Sequence, residues 1–279
     1  MTTKKDVALV LSSGGARGLA HIGAIEELEE QGYHISSIAG CSMGALVGGV
    51  YAAGKLRELR EMMKGVDKWK MLSMADLSLS LDHIVKGDKV VETLRGLIAD
   101  VCIEDLPIPF CAISTDWERG EEVVFREGNL IEAIRASISL PALFNPRQGD
   151  GRILIDGGVT NPLPLDRVVR KEGDLLVAVD VSGHDYWGQR QIQLRSEKRR
   201  KGPFRRSSKR EASINYISLL ARASSLMIRR NSLLMEQICP PDILIDIQMD
   251  RYDGMDYDKS EQLVEIGRRM TAKVLKNEN

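Results

Sequence analysis

Two hydrophobic periods alternate along the 279-residue chain. VALVLSS (7–13) is a near-continuous apolar run, the pattern of a strand buried on both faces. GARGLAHIGAIEELEEQG follows, with Leu19, Ile22, Ile25 and Leu28 at helical spacing and Gly32 placed to end the helix. ISSIAGCS predicts a second short strand, and MGALVGGVYAAG a small-residue helix able to pack close to a sheet. PFCAISTDW and EEVVFRE, joined by ERG, read as a pair of strands. GRILIDGG, DLLVAVDVSG and PDILIDIQM supply three more strands, with helices between or after them. This alternation predicts an α/β fold with a mostly parallel sheet, and no internal repeat interrupts it.

Composition changes this picture little. Apolar content of 43%, charged content of 28% and a net charge of -1 describe an ordinary globular protein and give no global argument for nucleic acid. The longest apolar stretches are too short and too rich in glycine to span a bilayer. The N-terminal apolar run reads as the first core strand rather than a leader, so a cytoplasmic protein is expected. Cys41, Cys102, Cys111 and Cys239 form no C-x-x-C pair and sit beside apolar residues, which predicts reduced thiols, no disulfide and no metal site.

Charge does change the picture locally. Residues 190–210 hold ten Lys/Arg and one Glu, a charge of +9, leaving -10 for the rest of the chain. The plain reading is a solvated, flexible insertion at 186–212. The sharper one is a patch for anionic lipid headgroups, with the protein peripheral to the inner face of a membrane. Nucleic acid is not expected, because Phe204 alone makes no stacking platform.

Three short motifs carry the candidate chemistry. Gly40-Cys41-Ser42-Met43-Gly44 is a G-x-S-x-G between a predicted strand and helix, a turn that pushes a serine outward beside a helix N-terminus. SSGGARG (12–18) lies in the same kind of position. Its glycines let backbone N–H groups converge on an anion, and its spacing matches neither nucleotide-binding glycine pattern. An oxyanion hole asks for that geometry; Arg17 either adds charge or braces the loop. In ILIDGGVTNP (153–162), Asp156 ends a strand before two glycines, either as a turn former or as the base a nucleophilic serine requires.

Taken together and in this order, over roughly residues 7–185, these motifs resemble the patatin-like phospholipase family. Gly14, Gly15, Ala16, Arg17 and Gly18 match its oxyanion loop, and Gly40 and Gly44 frame its nucleophile elbow. Asp156-Gly157-Gly158 matches its aspartate motif, and ASISLPALFNP (136–146) the segment that precedes it. Ser13 stands where many members carry glycine, and Cys41 where threonine is frequent. The resemblance implies a three-layer α/β/α catalytic domain over 5–185; beyond 185 it carries little, and 213–279 is expected to complete the same domain with helices and a strand. It also implies a Ser42–Asp156 dyad that cleaves lipid esters, phospholipids or lysophospholipids, through an acyl-enzyme and without a cofactor.

Two alternatives stay open. A Ser-His-Asp triad would use His184, which gives the α/β-hydrolase order Ser42, Asp156, His184; His21, His34 and His83 read as packing or surface residues. A non-catalytic module for anionic lipids would use the glycine loop and the basic tract, and would tolerate loss of Ser42. The Met-rich stretch 58–81 is either a core helix and loop or an adaptable rim for an acyl chain. The helix predicted at 214–238 packs on the sheet or meets a membrane or another subunit. Oligomeric state has no signature in the chain.

Overall fold

The computed structural model describes residues 5–66, 70, 89–141, 144–149, 151–183, 216–248 and 252–278. The basic insertion, His83, His184, Trp69 and the 71–81 part of the Met-rich stretch lie outside the described residues. Eight strands form one sheet: β1 (Lys5–Leu11), β2 (Tyr33–Cys41), β3 (Phe110–Asp116), β4 (Glu121–Phe125), β5 (Arg147–Gly149), β6 (Arg152–Asp156), β7 (Leu175–Gly183) and β8 (Ile243–Gln248). Their order is β5-β6-β3-β2-β1-β7-β8, with β4 also on β3. The pairs β3–β2, β2–β1, β1–β7 and β7–β8 are parallel, as the alternating periods predict.

The central strands are mostly apolar and almost wholly buried because both faces are covered. Successive residues of β1 point to opposite sides. Leu9 and Leu11 join one core with α1 (Ala20–Glu30), α2 (Met43–Ala52), α3 (Leu56–Lys64), α4 (Lys89–Leu97) and α5 (Leu130–Ser137). Val10 joins a second core with Leu163, Leu165 and Met235 of α6 (Tyr216–Ile238). The last helix, α7 (Ser260–Glu278), packs along α1 and belongs to the first core. Helix α6 is also tied to the sheet through charge. Arg229 bridges the fully buried Asp180 of β7 at 2.7 Å and Asp246 of β8 at 3.1 Å.

One departure from regular pairing prepares the site. Along one edge of β3, residues 112–116 pair with β4 throughout. The other edge is shared. Strand β2 occupies Phe110–Ile113 and stops with Cys41 opposite Ile113. Strand β6 then enters antiparallel, with Asp156 opposite Ser114. The end of β2 and the end of β6 therefore meet head to head. The residue after Cys41 must turn out of the sheet where Asp156 arrives.

Among the described residues no helix is long and apolar enough to cross a membrane. All four cysteines are free.

Candidate active site

Ser42 makes the turn. Its backbone sits at φ 53, ψ -121, a positive φ found at no other non-glycine residue described. Such a conformation costs a side chain of order 1–3 kcal/mol and persists only where the surroundings enforce it. Here they do. A Cβ on Gly40 would lie 2.4 Å from the Gly44 carbonyl oxygen, and one on Gly44 would lie 2.2 Å from that of Leu11. The two glycines thus let β2, β1 and α2 close on one another, and the serine between them is forced outward. Leu46 N–H donates to the Ser42 carbonyl at 3.0 Å, so α2 begins directly behind Ser42 and turns its positive end toward it.

Ser42 Oγ–H donates to Asp156 Oδ2 at 2.5 Å, and Gly158 N–H donates to Asp156 Oδ1 at 2.7 Å. Asp156 is 2% exposed. Burial pushes its carboxyl from the ordinary 3.8 up to about 6, against the opposing pull of the bonds from Ser42 and Gly158. The pair is thus a hydroxyl hydrogen-bonded to a carboxylate whose pKa is raised to about 6, an arrangement suited to a general base. The Cys41 thiol is fully buried and pushed well up by that burial and by the Asp156 charge, so it stays protonated and inert.

Sequence reasoning missed the residues that hold the pair together. Ser137, at the end of α5, accepts the Ser42 N–H at 2.9 Å and donates to the Ile113 carbonyl. Two residues on, the Ser139 carbonyl accepts the Asp156 N–H at 3.0 Å. A single turn thereby fixes both backbones. Buried Arg135 donates to Ser139 Oγ at 2.7 Å and lies over the Phe144 ring. The only signal in the chain was that these serines fall within 136–146, a stretch matched to the family without individual roles.

The glycine loop is placed beside Ser42, with one correction. Ala16 N–H donates to the Gly254 carbonyl at 2.8 Å and so is not available to an oxyanion. The N–H groups of Gly14 and Gly15 have no acceptor among the described residues. Gly15 has φ 58, and a Cβ there would meet the Gly254 oxygen at 2.7 Å, so this position admits only glycine. Arg17 Nε donates to the Gly14 carbonyl at 3.1 Å, which braces the loop. Gly18 packs against Met43. Ser13, the departure from the glycine pattern, is buried, and its hydroxyl lies beside the Cys41 thiol.

Neither described histidine bonds to Ser42 or Asp156. His21 is fully buried under the loop, where Nε2–H donates to the Ser12 carbonyl at 2.9 Å, and burial lowers its pKa to about 4. His34 is exposed on Asp6. No group of His, Cys, Asp and Glu among the described residues could hold a metal ion.

A cavity of about 90 Å³ opens on Ser42. Its walls are mostly apolar and include Leu46, Met62, Met63, Leu94, Ile138 and Phe144. The two methionines come from the Met-rich stretch, so that part of it lines the space beside the serine.

Comparison with known proteins identifies the family. Residues 9–169 match the family model for patatin-like phospholipase. An uncharacterized NTE family protein of Mycobacterium tuberculosis is 46% identical over 179 residues, which cover 64% of this chain and 50% of that protein. Neuropathy target esterase sws of Drosophila melanogaster is 33% identical over 192 residues, 66% of this chain and 13% of that protein. The chain thus spans half or less of the length of these relatives. The crystal structure of VipD from Legionella pneumophila superposes with a TM-score of 0.52 at 15% identity, covering 98% of this chain and 67% of that one. At that identity the likeness speaks to the fold alone.

Proposed function

The chain belongs to the patatin-like phospholipase family, and from that premise we propose that it is a serine acyl hydrolase of lipid esters working through Ser42 and Asp156. The observation that carries this reading is the 2.5 Å bond from Ser42 Oγ to a buried carboxylate at a strained turn. Asp156 takes the hydroxyl proton as Oγ attacks the ester carbonyl. The N–H groups of Gly14 and Gly15, with the positive end of α2 behind Ser42, stabilise the resulting oxyanion. Collapse expels the alcohol, which receives the proton from Asp156, and leaves an acyl-serine. Water attacks this ester, again giving its proton to Asp156, and the fatty acid departs as the serine is reprotonated.

The cavity supports an acyl chain as the group held. It is small beside the roughly 300–1,000 Å³ of pockets that enclose drug-sized ligands, so long chains must displace Met62 and Met63, the most compliant of its walls. Phospholipids and lysophospholipids are the proposed substrates. The basic tract 190–210 is proposed to bring the enzyme to anionic membrane. Helix α6, which follows it in sequence, supports this with a solvent-facing stripe of Leu226, Met227, Leu234 and Ile238 interrupted by Arg230.

The test is hydrolysis of a medium-chain p-nitrophenyl ester by the wild type, Ser42→Ala, Asp156→Asn and His184→Ala, each checked for folding. Loss in the first two variants and retention in the third is expected. Loss in His184→Ala would move the reading to a triad, and activity in Ser42→Ala would end it.

A further inference from the structure

Beyond the stretch that matches the family, the turn 252–257 forms one wall of the cavity on Ser42. It is built to be rigid. Asp256, 5% exposed, accepts the Asp253 N–H at 3.0 Å and Lys259 Nζ at 2.6 Å. Met255 N–H donates to Asp253 Oδ1 at 3.0 Å. The turn is keyed to the glycine loop by the bond from Ala16 N–H to the Gly254 carbonyl. Three residues later, Tyr257 lines the same cavity as Gly15 and Ser42 and is 6% exposed.

Three lining side chains bear hydroxyls: Ser42, Thr93 and Tyr257. Ser42 is committed to Asp156, and Thr93 Oγ1 donates to the Lys89 carbonyl at 2.7 Å. The Tyr257 hydroxyl has no hydrogen-bond partner among the described residues. A phenol held without a protein partner at the wall of an apolar cavity is placed to donate its hydrogen bond to a polar atom that enters. Burial and then the nearby Asp156 charge raise its pKa, so it remains a proton-bearing donor rather than an acid or base.

We propose that Tyr257 donates a hydrogen bond to the substrate oxygen that becomes negative when Ser42 attacks, a side-chain counterpart to the Gly14 and Gly15 N–H groups. The placement fits this role, because Tyr257 and Gly15 flank the cavity beside the serine and are joined through Gly254. The inference rests on the acyl-hydrolase reading. It adds a donor that no motif in the first 185 residues carries.

The experiment compares the wild type with Tyr257→Phe, which keeps the ring and removes only the hydroxyl. Both a p-nitrophenyl ester and an alkyl ester of the same acid are used, along with labelling of Ser42 by a fluorophosphonate. Loss of an oxyanion donor lowers kcat by about 100-fold or more. That fall is expected on both esters, with KM within about threefold. The melting temperature should stay equal or rise, since the hydroxyl bonds nothing in the resting protein. An alkyl trifluoromethyl ketone, whose adduct with the serine is itself an oxyanion, should lose affinity by a similar factor. Wild-type kcat within threefold in Tyr257→Phe overturns the proposal, as does a fall confined to the alkyl ester, which would assign the phenol to the leaving group. If the wild type is neither labelled at Ser42 nor active, the acyl-hydrolase reading fails and this inference with it. A labelled, active wild type matched by an equally active Tyr257→Phe overturns this inference alone.

Discussion

Replacing Asp156 by Asn should make the protein more stable while abolishing its activity. The two side chains have the same shape, and Asn can still accept the Gly158 N–H through its amide oxygen. What disappears is the need to hold a charge at a site that is 2% exposed. The carboxyl titrates at 3.8 when solvated and at about 6 in the fold. At 1.36 kcal/mol for each pH unit, keeping it ionised costs the folded state about 3 kcal/mol. The sign follows from linkage. Between pH 4 and 6 the folded protein retains a proton the unfolded chain has released, so wild-type stability falls as pH rises through that window and levels off above it. Well below 3.8 both forms are protonated, and the wild type and the Asn variant should converge in stability. At pH 8 the variant should lead by about 2–3 kcal/mol, or about 5 °C in melting temperature for a chain of this size. Urea and thermal unfolding of the pair at half-unit steps from pH 3.5 to 8 measures this directly, because every other group titrates alike in both. Parallel curves across the whole range would refute the claim that burial sets the acidity of Asp156.

The same carboxyl predicts the pH profile of the reaction. For a neutral ester, kcat/KM should rise from acid pH with a midpoint of about 6 and stay level above it, since Asp156 acts only as the carboxylate; steady-state rates from pH 4.5 to 9 give the curve. Ser137→Ala removes the acceptor of the Ser42 N–H and leaves that buried group unpaired, a loss of about 1–3 kcal/mol in unfolding free energy. It should also lower kcat more than it raises KM, because the cavity is untouched while the nucleophile is released. Binding to vesicles containing an anionic phospholipid should be strong at low salt, weaken steeply between 50 and 500 mM salt, and vanish when the arginines and lysines of 190–210 become serine. Sedimentation with neutral vesicles provides the control.

What could be read from the chain follows from the range of each interaction. The central strands and the helices at 20–30 and 43–52 announce themselves by local period, and Gly32 does take the positive φ of 85 that ends the first helix. Ser42, Asp156 and the glycine loop were legible because each lies at a strand end beside glycines. Strand β5 was not foreseen: with three residues of mixed character it has no period of its own and forms only because β6 offers an edge. Ser137, Ser139 and Tyr257 were invisible for another reason. Their roles come from tertiary pairings, Ser137 across 95 residues to Ser42 and Ser139 to the Asp156 backbone, and from a turn more than two hundred residues away that docks on the glycine loop. That docking also decides which loop N–H groups remain free, and so the glycine spacing alone could not separate Ala16 from Gly15.

The site concentrates two unfavourable features in adjacent positions: a serine in a backbone conformation that side chains resist, and a carboxylate shut away from water. Neither would survive on local preference. Both are imposed by the fork in the sheet. Strand β2 must leave the edge of β3 after Cys41 because β6 occupies the next register position, and leaving sharply enough to enter α2 forces the positive φ on Ser42. The same register delivers Asp156 at that turn, with its side chain covered by the elements that produce the turn. Thr115 Oγ1 holds the Asp156 carbonyl at 3.0 Å, Ser114 Oγ holds that of Ile155 at 2.7 Å, and Ser139 takes the Asp156 N–H. The backbone of the carboxylate is therefore fully anchored while its side chain is satisfied by only Ser42 and Gly158. An aspartate held this firmly cannot relax toward solvent to recover hydration. Its raised proton affinity is a consequence of the strand register rather than of any charged neighbour, and that affinity suits the base role proposed for it.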